Sequence, residues 1–146
     1  MLKTVTDYDT LVSLMVTKRS YVKFQPCFLP KGTSCKKLIH YFEFLSPIML
    51  IMHGSRISRL KFSTKRVSDV DIICVSSKAA FWPLEQLYKK LRENLKEDKN
   101  AIDVSIITYL ELASIITEGS SSLSSSIDNG FSVIYMRESN ELPSSY

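Results

Sequence analysis

Residues 53–75, HGSRISRLKFSTKRVSDVDIICV, decide the fold. The stretch closes on Ile72-Ile73-Cys74-Val75, an apolar run that reads as the end of a buried strand over 67–75. Asp69 and Asp71 sit at its mouth. Residues i and i+2 of a strand share a face, so the two carboxylates project side by side, roughly 7 Å apart. Like charges at the mouth of a buried strand repel and resist desolvation. A divalent cation offsets that cost, and hard oxygen ligands suit magnesium. The stretch opens on His53-Gly54-Ser55, directly after the apolar run Ile48 to Met52, which reads as another buried strand. Glycine lets a backbone approach a phosphate closely. The amides of a helix start bind anions, and the Ser55 hydroxyl adds a donor. Arg56 to Arg66 is a short basic stretch readable as helix, whose Arg56, Arg59, Lys61, Lys65 and Arg66 can answer phosphate charge.

Working outward, Ser34 caps a helix in which Leu38, Tyr41, Phe42 and Leu45 share one face, and Pro47 ends it. Thr6 and Asp9 start an earlier helix with Tyr8, Leu11, Val12 and Met15 on one face. Residues 25–33, with Pro26, Pro30 and Gly32, form the loop between them. Downstream, Pro83 suits a first helical turn, and Leu84, Leu87, Tyr88, Leu91 and Leu95 repeat at helical spacing. After a polar turn at 96–100, residues 101–108 alternate, with Ile102, Val104 and Ile106 on one side and Asp103 and Ser105 on the other. Asp103 is a third acid. With its strand beside 67–75, three carboxylates converge, enough to hold two metals for displacement at phosphorus. A short helix at 111–117, a serine-rich loop at 119–126, a turn at Asp128-Asn129-Gly130, a strand at 131–136 and a frayed tail from 138 complete the chain. Tyr88 reads as core, Trp82 as a packing residue at a helix start, and His53 as either a phosphate contact or a residue simply packed at its strand end.

The chain has 146 residues, which fits a single domain over 1–146, with a core at about 34–136 and a helical extension at 1–33. A hydrophobic fraction of 45% supports an ordinary globular core. The net charge of +4 suits a polyphosphate or nucleic-acid partner without requiring one. Cys27, Cys35 and Cys74 lack metal-site spacing, and free thiols fit a reducing cytoplasm. The N-terminus has no signal-peptide pattern, and the longest apolar run is far too short for a bilayer, so no membrane partner is expected. Strands separated by helices predict a mixed α/β or α+β domain.

A Gly-Ser turn after a strand, Asp-x-Asp opening the next and a third acid on a later one resemble the nucleotidyltransferase superfamily of DNA-polymerase-β type. The size and order are similar to its minimal single-domain members, over about 48–136. The resemblance implies a mixed sheet with helices packed mainly on one face. It implies a nucleoside triphosphate held by Gly54 and Ser55, with Arg56 and Ser68 completing the candidate nucleotide-binding set. It assigns two magnesium ions, replaceable by manganese, to Asp69, Asp71 and Asp103, the last also activating an acceptor hydroxyl. The loop between Ser55 and Asp69 is longer than the minimal members carry, and the helices before Lys37 match no part of the family.

The expected activity is transfer of AMP from ATP to a hydroxyl, with release of pyrophosphate. The acceptor is open between a protein Tyr, Ser or Thr, an RNA end and a small hydroxylated compound. A dimer or a partner protein would complete the cleft. The resemblance makes a small helical toxin-like ribonuclease attractive as that partner, with this chain as its antitoxin. The rival readings are an inactive nucleotide- or partner-binding module, and nucleotide addition to RNA or a small molecule. The small net charge and the lack of a second domain argue against a nucleic-acid enzyme.

Overall fold

The structure, a computed structural model, describes residues 29, 31–53, 70–118 and 131–137. The expected helix at 6–15 and the serine-rich loop lie outside these residues. Helix α1 spans Cys35–Phe42 and starts on Ser34, whose hydroxyl accepts from the Lys37 amide at 3.1 Å. It buries Leu38, Tyr41 and Phe42, and a single 3-10 turn, Glu43–Leu45, follows. Ser46 then takes a left-handed conformation, φ 45°, immediately before Pro47. That reversal feeds strand β1, Met49–His53, every residue of which is buried.

Strand β2, Val70–Val75, leads into a short helix α2, Lys78–Phe81, and then α3, Leu84–Leu95. Strand β3 is Ile102–Ile107, α4 is Tyr109–Glu118 and β4 is Phe131–Met136. The strands form one sheet in the order β3-β2-β1-β4. β1 runs antiparallel to β2 and β4, whereas β2 and β3 are parallel, joined by the crossover through α2 and α3. The class is α+β with a mixed sheet, as expected.

The alternation of each strand divides the core. Leu50, Met52, Ile72, Cys74 and Ile106 face α1 and α3, where Leu38, Phe42, Leu87 and Leu91 meet them. Met49, Ile51, Ile73, Val75 and Ile107 face the other way, against Tyr109, Leu112 and Ala113 of α4. Among the described residues, helical cover is therefore heavier on the first face. A register shift between Leu50 and Ile51 marks a bulge against β4.

Three local readings are corrected. Pro83 is the N-cap of α3 rather than a residue of its first turn; its carbonyl accepts from Gln86 and Leu87. Helix α4 starts at Tyr109, before the expected 111. Thr108 and Glu111 form a reciprocal cap: the Thr108 hydroxyl accepts from the Glu111 amide, and the Glu111 carboxylate accepts from the Thr108 amide. Trp82 is 56% exposed and its neighbour Phe81 72%, so Trp82 is not packed into the core at the helix start. No helix among the described residues is long and apolar enough to cross a membrane.

Candidate functional site

The C-terminal end of β1 and the N-terminal ends of β2 and β3 lie together at one end of the sheet. Because β1 is antiparallel to β2, His53 is the register partner of Asp71. Because β2 is parallel to β3, Asp71 is the register partner of Asp103. His53, Asp71 and Asp103 thus form a row across three adjacent strands, each step about 4.8 Å. Alternation places all three on the α4 face. His53 follows Ile51, Asp71 precedes Ile73, and Asp103 precedes Ser105 and Ile107.

Exposure rises along the row. His53 is buried, at 8% exposure, Asp71 is half-buried and Asp103 is exposed. Burial pushes the His53 imidazole below its ordinary pKa, and the Asp103 charge acts in the opposite sense without reversing the shift. The imidazole is therefore neutral at neutral pH. The row thus runs from an uncharged ring on its closed side to the exposed carboxylate of Asp103 at β3.

Of the expected site residues, the structure brings Asp71 and Asp103 side by side. Asp69, Gly54, Ser55, Arg56 and Ser68 lie outside the described residues. The two described carboxylates are hard oxygen donors of the type magnesium prefers. Among the described residues no group of three His, Cys, Asp or Glu could hold a metal ion, so a complete ligand set needs a further donor, the part expected of Asp69.

His53 is packed at its strand end, and strand pairing adds that it meets the acid opening β2. Tyr88 is also more than core. It packs against the α1/α3 face, and its hydroxyl accepts from the Ile106 amide at 2.7 Å. Cys74 is the buried small hydrophobe expected, with its thiol pKa pushed up by burial.

The chain matches no protein-family model, no curated protein and no solved structure.

Proposed function

We propose that this protein is a magnesium-dependent nucleotidyltransferase that moves a nucleoside monophosphate, AMP from ATP, to an acceptor hydroxyl. The observation that carries the reading is the pairing of Asp71 with Asp103 at the mouths of two parallel strands, beside the strand end that leads into Gly54-Ser55. Two carboxylates brought to neighbouring strand ends offer hard oxygen donors of the kind a magnesium-bound polyphosphate requires.

In this reading Asp71 and Asp103, with Asp69, hold the metal ions. Bound magnesium would supply charge neutralisation at the phosphates and at the attacking and leaving oxygens. The chain's own residues do the rest. Gly54 and Ser55 bind the triphosphate through backbone amides and the hydroxyl. Asp103, on the open side, accepts the proton of the acceptor hydroxyl. Neutral His53 closes the inner side without adding a positive charge that would compete with the metals.

The test is pyrophosphate release from ATP and magnesium in the presence of hydroxyl acceptors. Replacing Asp69 and Asp71 together by alanine is expected to abolish it while the far-ultraviolet circular dichroism stays that of the folded chain. Unchanged release in that double variant refutes the metal assignment.

A further inference from the structure

An acceptor must reach Asp103, and β3 offers it a backbone as well as a carboxylate. β3 is an edge strand of the sheet. The Ala101 carbonyl accepts from Val70 and the Ile107 carbonyl from Ser76, so the peptide groups of 101, 103, 105 and 107 turn towards β2. Those of Ile102, Val104 and Ile106 turn outward. Ile106 is already engaged, its amide donating to the Tyr88 hydroxyl. No such cap covers Ile102 or Val104 among the described residues. Among the described residues the open part of the edge is therefore the segment that flanks Asp103, and Tyr88 marks where it stops.

Resting on the nucleotidyl-transfer reading, we infer that the acceptor is an extended segment of a partner protein. It adds as a strand to the β3 edge at Ile102 and Val104 and presents a Ser, Thr or Tyr hydroxyl opposite Asp103. Unpaired N–H and C=O groups in strand geometry are complementary to another extended peptide backbone. They do not match the sugar-phosphate backbone of an RNA strand, and β3 carries no Lys or Arg to answer phosphate charge. With antiparallel addition, the residue opposite Asp103 occupies a non-hydrogen-bonded position, its Cα about 4.5 Å away and its side chain on the same face. A hydroxyl there lies within reach of the carboxylate. Its oxygen attacks the α-phosphorus of the nucleoside triphosphate, and the bond to the β-phosphate oxygen breaks. Pyrophosphate leaves and the hydroxyl proton passes to Asp103.

The experiment uses the full chain, ATP and magnesium with a pool of short peptides randomised around a central Ser, Thr or Tyr. A matched pool is N-methylated at alternate backbone positions, those that would face β3. Nucleotidylated peptide is read by mass spectrometry, and hydrogen exchange is followed at the amides of Ile102 and Val104. The inference predicts transfer to the first pool with protection at both amides. N-methylation is expected to cut transfer about tenfold or more, the scale of one or two lost hydrogen bonds. Val104→Pro, which removes an outward N–H without touching the β2 ladder, is expected to do the same. Equal transfer to both pools overturns the inference, as do transfer confined to nucleosides, RNA ends or small alcohols, protection without transfer, and dimerisation through β3. ATP binding with transfer only to such other acceptors defeats the edge alone. Absence of ATP binding defeats the nucleotidyl-transfer reading beneath it.

Discussion

Asp98 shows how a single carboxylate can fasten two parts of this fold. It accepts from Thr33 Oγ1 at 2.7 Å, from the Tyr41 hydroxyl at 3.1 Å and from the Asn100 amide at 2.9 Å, while Asn100 also donates to the Lys31 carbonyl. Burial alone would raise its pKa, but these hydrogen bonds outweigh it and leave the carboxyl below its ordinary 3.8. Burial and the bond to Asp98 push the Tyr41 hydroxyl up. The unfolded chain therefore binds the Asp98 proton more readily than the folded one. Stability from this group is complete above 3.8 and is lost as pH falls through the lower folded value. Urea midpoints measured across this window are expected to fall less steeply for Asp98→Asn than for wild type. At neutral pH the expected cost of Asp98→Ala is about 1–3 kcal/mol, from the stranded donors. His53 follows the same sign in a higher window: stability tied to its neutral form is complete above about 6.5 and declines on acidification. At Cys74, burial predicts slow alkylation in the native protein and rapid alkylation only after denaturation, readable by mass spectrometry against the partly exposed Cys35.

At the scale of elements, the caps carry clear expectations. Thr108→Ala removes the hydroxyl half of the reciprocal cap that starts α4, leaving the backbone amide of 108 to donate to Glu111, and should cost about 1 kcal/mol, seen as a lower thermal midpoint. The strands were legible from alternation and apolar runs, and α1 and α3 from helical spacing and from Ser34. The start of α4 was missed although Thr-x-x-Glu stood in the sequence, because the alternation of β3 runs through Thr108 and masked the cap. The exposure of Trp82 was not legible: an aromatic at a helix start carries no signal of which way it faces until α2 and α3 are placed. Truncating the core should be costly in the ordinary way. Ile72→Ala, at a fully buried position between α1, α3 and the sheet, is expected to lose about 2–5 kcal/mol in denaturant unfolding.

For the whole molecule, the layout of the sheet brings separate residues into one row. Strand order and direction could not be read from any one segment, since pairing depends on contacts between residues far apart in the chain. The sequence carried Asp71 and Asp103 as acids 32 positions apart, and the parallel β2–β3 ladder makes them neighbours. The antiparallel β1–β2 ladder adds His53 to the same row. Burial on one side and exposure on the other give that row a direction, outward over β3. Calorimetric titration of ATP with and without magnesium, into the wild type and Asp71→Asn, tests this account most directly. The account predicts binding that requires magnesium and is lost in Asp71→Asn. ATP binding that ignores magnesium, or that survives unchanged in Asp71→Asn, would contradict it.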